Sequence, residues 1–321
     1  SMVERLREEA ASVMPLVSCT GVRRLLINTS WLPLPDTRKV YWDKAGKVAL
    51  AAADYEKLAD DAKAAFKLLE LDQEFYYKTR YGSPLAYARA LDIACKEMAC
   101  KECFRKKKIF DFGYGGIGHL RLLASCGASV TGVEVDPILK VLYSDPKDTG
   151  EIAGAGMGDN IPPAGSLKLV HGQWPADSKV KEEVGGGYDL IISKNVLKNG
   201  YIHSPPEKQV DKRMLIDLGV DDKTFMEAIA ASLNEGGLFL IYNISPKQNE
   251  DKYIPWADGR CPFSKETIKA AGLEVLDFDA DDTVEVRALG HALRWDEGEG
   301  SMDLERDCFA HYTLIRKPVL K

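Results

Sequence analysis

Apolar and polar positions change rhythm twice along the chain. Residues 3 to 17 place apolar side chains at helical spacing with charged residues between, which predicts a short amphipathic helix. From 22 to 50 the pattern is mixed, with Trp31, Pro33, Pro35, Tyr41 and Trp42, and a β-hairpin is expected around Asp43 to Gly46. Alanine-rich sequence from Ala51 to Leu69 and the run from Pro84 to Met98 both read as helices. The segment 1–105 is therefore expected to be a mostly helical amino-terminal extension.

After residue 106 short apolar runs alternate with helical patterns. Ile109, Phe110 and Phe112 mark a strand, residues 117 to 126 a helix, and a second strand ends at Glu134. A short helix from Pro137 to Tyr143 precedes a Gly/Pro/Asp-rich loop from Ser144 to Gly165. Leu167 to Val170 is a strand, and Tyr188 to Ser193 is nearly continuous apolar sequence of the kind buried on both faces. A polar loop from Lys194 to Asp221 leads to a helix over 223 to 234, the turn Glu235-Gly236-Gly237, and a strand from Leu238 to Ile244. Ser264 is a candidate N-cap, Leu273 to Phe278 another strand, 279 to 307 an acidic stretch, and Cys308 to Arg316 a final alternating strand. Strands and helices in this alternation predict an α/β, doubly wound, mostly parallel sheet filling a second domain, 106–321.

Composition narrows the function. A net charge of −6 argues against a general nucleic-acid surface, which needs a basic face. No uninterrupted apolar run approaches the roughly 20 residues needed to span a bilayer and no signal-like core opens the chain, so a cytoplasmic protein with no membrane partner is expected. Ser1-Met2 is read as a tag remnant. Seven cysteines with irregular spacing fit reduced thiols, and no metal site is expected from Cys95, Cys100 and Cys103, which lack a second paired knuckle. Oligomeric state is left open.

The chemistry centres on Lys108 to Asp136. Gly113, Gly115, Gly116 and Gly118 form a turn between strand and helix where the backbone can approach a ligand with no Cβ in the way, and Glu134 ends the next strand, where an acid can accept from ribose hydroxyls. Gly113, Gly115 and Gly118 fit the dinucleotide fingerprint G-x-G-x-x-G; Asp111, Gly113 and Gly115 fit the D-x-G-x-G turn of S-adenosylmethionine (SAM) enzymes. The glycines alone admit both.

The ordered set IFDFGYGGIG, VTGVEVDP, LVHGQW, YDLIISKNVL, LNEGGLFLIYNI, PFSKETIKAAGLEVLDF and CFAHYTLIR resembles the class I (Rossmann-like) SAM-dependent methyltransferases over residues 108 to 317. The resemblance implies a seven-stranded sheet whose last strand inserts antiparallel, and SAM as cofactor. It also implies Asp111 near the methionine amine, Gly113, Gly115 and Gly116 around the amino-acid portion, Glu134 on the ribose and Gln173 at the adenine. Ile117 departs from the family's third glycine, and Gln173 stands where an acid is common.

Methyl transfer requires positioning the acceptor, excluding water and, for a protonated acceptor, removing a proton. Loops after the strands supply the candidates. His203, Lys194 and Tyr201 are the catalytic candidates, with His203 preferred as base because imidazole titrates near neutral pH. Ser193 and Tyr81 join the cofactor-binding candidates, and Asn195, Trp256, Arg260 and Tyr76 are the substrate-binding ones. The aromatic linker around Tyr76 to Tyr87 with Arg80, Lys194 and Arg260 fits a small, partly aromatic or anionic acceptor. Two other functions are weighed: a non-catalytic SAM or nucleoside-binding module working through protein partners, and a nicotinamide oxidoreductase.

Overall fold

The apolar runs beyond residue 106 pair into one sheet, in the computed structural model, which describes residues 1–77, 83–98 and 104–320. Three strands precede that sheet in the chain: β1 (Arg38–Asp43), β2 (Val48–Ala51) and β3 (Lys67–Leu71), antiparallel in the order β2-β1-β3. The main sheet contains β4 (Lys108–Phe112), β5 (Ser129–Glu134), β6 (Gly150–Ile152), β7 (Gly165–His171), β8 (Tyr188–Lys194), β9 (Leu233–Ser245), β10 (Glu274–Asp281) and β11 (Phe309–Arg316). Their order is β10-β11-β9-β8-β4-β5-β7-β6. Strands β7, β5, β4, β8 and β9 are mutually parallel. The last strand, β11, lies antiparallel between β9 and β10, as expected.

The sheet has eight strands rather than seven, because β6 emerges from the loop after Ser144 and pairs antiparallel with the edge of β7. The amino-terminal segment also departs from the helical reading. Its Ala51–Leu69 region holds only two four-residue helices, Ala52–Tyr55 and Asp60–Lys63, before β3 pairs with β1. Helix propensity amounts to a few tenths of a kcal/mol per residue, and strand pairing plus packing overrides it. The acidic stretch is structured, with the helices Thr283–Ala292 and Leu304–Asp307. Cys95 is disulfide-bonded, so the expectation of uniformly reduced thiols fails there, while Cys19, Cys126, Cys261 and Cys308 are free.

Side chains alternate across the sheet, so each central strand feeds two cores. Ile109 packs into one cluster and Phe110 into the other; Leu190 and Ile191 divide in the same way. The first cluster is completed by amino-terminal residues, including Leu6, Leu25, Leu26, Leu85 and Leu91, each fully buried. At about 1.5–3 kcal/mol per buried leucine, that seam holds the segment firmly against the sheet. A polar tie reinforces it. Arg89 donates to both carboxylate oxygens of buried Asp282, which also accepts from the Tyr242 hydroxyl at 2.7 Å. No helix among the described residues is long and apolar enough to cross a membrane.

Candidate functional site

The crossover direction reverses at β4: β5 and β7 follow on one side, β8 and β9 on the other. The carboxyl ends of strands at such a reversal leave a crevice where ligands bind in open α/β sheets. A cavity of about 190 Å³ opens there, lined by Gly113 after β4, Glu134 and Val135 after β5, Gly172 and Gln173 after β7, and Val196 after β8.

Gly113 lines it, and Gly115 follows in the same turn. Gly113 (φ +71°) and Gly115 (φ +63°) are left-handed, and a Cβ on Gly113 would meet Val196 Cγ2 at 2.7 Å. A Cβ on Gly115 would meet nothing within 4 Å, so that face is open. The Gly115 N–H donates to Glu134 Oε2 at 3.1 Å and the Val135 N–H to Oε1 at 2.8 Å. The acid ending β5 is thereby held against the glycine turn. Burial raises its carboxyl above the usual range, with the backbone donors opposing. Gln173 Nε2 donates to the Asp217 carbonyl at 2.7 Å, leaving its amide oxygen for other partners.

Ile117 and Gly118 are both closed in by packing. Ile117 is fully buried and its N–H donates to the Tyr143 hydroxyl at 3.4 Å. A Cβ on Gly118 would meet Pro84 at 2.9 Å and Tyr77 at 3.0 Å. The amino-terminal segment thus packs on the Cα of Gly118 at the start of the helix Gly118–Ser125. The third glycine serves close packing, and the left-handed glycines at 113 and 115 are common to both readings of the turn.

Behind the turn is a buried polar group. Asp111, fully buried at the end of β4, contacts His119 Nε2 through Oδ2 at 2.5 Å, while its Oδ1 has no partner among the described residues. His119 stacks on Tyr87, with ring centroids 3.5 Å apart, and burial depresses its pKa, leaving a neutral imidazole. Lys194 Nζ lies 4.9 Å from the centroid of the same tyrosine ring, and no hydrogen bond from it is formed among the described residues. Burial pushes that lysine down to about 8, against the opposing charge of Asp111. Ser193 Oγ is likewise buried and unpartnered. Unpartnered buried atoms at Asp111 and Ser193, beside the glycine turn, fit a polar cofactor lying across these strand ends.

Other candidates are occupied elsewhere. The Asn195 side chain accepts from the Ile244 N–H at 2.7 Å, and its residue is left-handed (φ +63°), so it fastens β8 to β9. Tyr76 is buried, donates to Asp148 at 2.7 Å, and packs edge-on against Tyr77 and Tyr143. Arg260 grips Asp258 with two bonds of 2.8 Å, and Trp256 is half-exposed. Arg260 lines a separate cavity of about 440 Å³ with Ser245, Tyr253, Phe309 and His311. His203 faces Asp222 at 2.8 Å on the surface and does not line the strand-end cavity. Tyr201 is half-buried, its ring 5.5 Å from Lys198 Nζ. Tyr81, like Arg80, lies outside the described residues.

What the sequence could not show is the stacking of His119 on Tyr87 and the burial of Lys198. Lys198 is buried, donates to the carbonyls of Ile244 (2.6 Å) and Trp256 (3.0 Å), and burial pushes it down to about 7. A lysine just past an apolar strand was the only available signal. Among the described residues no three His, Cys, Asp or Glu side chains are grouped to hold a metal ion.

No family model and no curated protein matches the chain. Among solved structures it is similar to the 4+2 cyclase SpnF, with 14% identity and a TM-score of 0.40 over 72% of this chain and 81% of that one. A putative sarcosine dimethylglycine methyltransferase from Galdieria sulphuraria matches at 15% identity and 0.37, over 72% and 86%. A TehB-like SAM-dependent methyltransferase from Corynebacterium glutamicum matches at 20% and 0.35, over 73% and 87%. The strand order, the reversal at β4 and the inserted antiparallel β11 make the architecture an open, doubly wound, Rossmann-like α/β sheet.

Proposed function

We propose that the protein is a SAM-dependent methyltransferase acting on a small-molecule acceptor. A fold hosts many chemistries, so the reading rests on the site. The observation that carries it is the left-handed Gly113–Gly115 turn with Glu134 held against it by the Gly115 N–H, both Gly113 and Glu134 lining the strand-end cavity. In this reading Glu134 accepts from the ribose hydroxyls, Gly172 and Gln173 border the adenine, and Gly113 to Gly116 with Asp111 face the amino-acid portion. The cavity, at about 190 Å³, is below the roughly 300–1,000 Å³ of whole-ligand pockets and fits the nucleoside half.

Bound SAM would supply an electrophilic methyl on a sulfonium. The chain's own contribution is to hold that group, exclude water and receive the acceptor's proton where there is one. Lys194 is the best supported of the proposed catalytic residues: it is buried beside the crevice, unpartnered among the described residues, and poised near 8. His203 and Tyr201 stand farther along the same loop, and Trp256 and Arg260 are proposed to meet the acceptor's outer part. The amino-terminal region 1–105 acts as the cap over the site.

Calorimetry with SAM and S-adenosylhomocysteine, followed by transfer of labelled methyl from SAM into a small-metabolite extract, tests the reading. Binding of both ligands with label in a small molecule is expected. Binding without transfer would favour a non-catalytic SAM module, and affinity for NAD with none for SAM would overturn the reading.

A further inference from the structure

The carboxyl half of β7 presents an open edge. The Ser166 N–H donates to the Ala128 carbonyl and the Gly172 N–H to the Glu134 carbonyl, both at 3.0 Å and both toward β5. By the two-residue period, Lys168 and Val170 also aim their backbone groups at β5, whereas Gly165, Leu167, Leu169 and His171 aim theirs outward. Strand β6 covers only the first two of these: Ile152 pairs with Gly165, Gly150 with Leu167, and the ladder stops.

Continuing that ladder would bring Asp148 opposite Leu169, but Asp148 is drawn away. Arg38 donates to its two oxygens at 2.6 and 3.0 Å, and the Tyr76 hydroxyl donates at 2.7 Å. Among the described residues, the outward N–H and C=O groups of Leu169 and His171 therefore have no backbone partner. A cavity of about 600 Å³ runs along this edge, with Leu139, Tyr143 and Leu169 in its wall and Lys140, Lys168 and His171 at its rim. Lys140 and Lys168 are exposed cations, His171 is exposed with its pKa lowered by desolvation and by Lys140, and Glu183 is the single carboxylate in the lining.

We propose that this edge is a strand-addition site for an extended, acidic peptide segment of another protein. An added strand completes the four backbone hydrogen bonds that β6 leaves unmade, and its alternating side chains fall on the two faces of the sheet. Acidic side chains on one face meet Lys140, and on the other Lys168. A second copy of this chain is a poorer occupant, because the protein carries a net charge of −6 and like charges oppose its self-association. The site is separate from the strand-end crevice and does not depend on the proposed methyl transfer.

The test uses the full chain and the peptide acetyl-Glu-Val-Glu-Val-Glu-Val-amide. Amide hydrogen exchange at Leu169 and His171 is expected to slow at least tenfold on binding, with Lys168 and Val170 unchanged. N-methylating alternate peptide residues in one phase is expected to abolish binding, and in the other phase to leave it intact. The variant Lys140→Glu/Lys168→Glu is expected to weaken the peptide at least tenfold while leaving SAM affinity unchanged. The proposal is overturned by no binding at millimolar peptide, by binding indifferent to the N-methylation phase, or by protection of Leu169 and His171 that grows with protein concentration without peptide, which would assign the edge to a second copy.

Discussion

Replacing Gly113 with alanine tests the crevice floor through two separable costs. The left-handed backbone (φ +71°) costs an L-residue about 1–2 kcal/mol. The new Cβ would stand 2.7 Å from Val196 Cγ2 and 3.2 Å from Cγ1, an overpacking that costs about 1–3 kcal/mol more. Gly113→Ala alone is thus expected to destabilise the protein by about 2–5 kcal/mol. Val196→Ala removes both methyl groups that the Cβ would strike, so the double variant should retain the backbone cost and lose the steric one. Urea unfolding of the wild type, both single variants and the double variant, with the slope held common, measures the coupling. A favourable interaction of about 1–3 kcal/mol is expected; additivity within about 0.5 kcal/mol would show that Gly113 and Val196 do not touch and would refute the geometry. Calorimetry with SAM on the same four proteins reports whether the floor also carries cofactor affinity.

Three further outcomes follow from the site and its supports. Glu134→Ala is expected to weaken SAM binding by about 1–3 kcal/mol, the loss for hydrogen bonds to a charged acceptor; unchanged affinity by calorimetry would remove Glu134 from the site. Lys194, lowered from 10.5 to about 8, releases its proton earlier in the native state than in the unfolded chain, so its penalty is full below pH 8 and fades as the pH rises towards 10.5. Lys194→Met should therefore stabilise the protein at pH 7 by up to about 3 kcal/mol, with the gain shrinking through that window; a urea midpoint that does not rise at pH 7 contradicts the burial. Arg89→Met leaves Asp282 buried without its guanidinium partner and is expected to cost about 3–5 kcal/mol by urea unfolding, against under 1 kcal/mol if the pair were a surface bridge.

Much of the sheet was legible because its signals are local. Tyr188 to Ser193 is nearly continuous apolar sequence since both faces of β8 are covered, and Ser264 announces its helix by accepting from the N–H of Thr267. The Asp111–Gly113–Gly115 turn and Glu134 were visible for the same reason: backbone conformation and strand ends leave marks within a few residues. The Ala51–Leu69 misreading has the opposite cause, since β3 exists only through its pairing with β1. β6 likewise depends on the edge of β7 rather than on its own three residues.

By itself, then, the sequence determined the alternation of strands and helices, the nucleotide turn and the acid that follows it. Only the tertiary structure showed why Gly118 must lack a side chain, because its contacts with Pro84 and Tyr77 join segments more than thirty residues apart. Long-range packing also decided which polar groups are left for chemistry. It ties Asn195 to Ile244 and Tyr76 to Asp148, pairs His203 with Asp222 at the surface, and leaves Lys194 and Asp111 Oδ1 buried beside the crevice without hydrogen-bond partners among the described residues. A side chain's availability is set by what surrounds it in space, and residue type and spacing along the chain do not encode that.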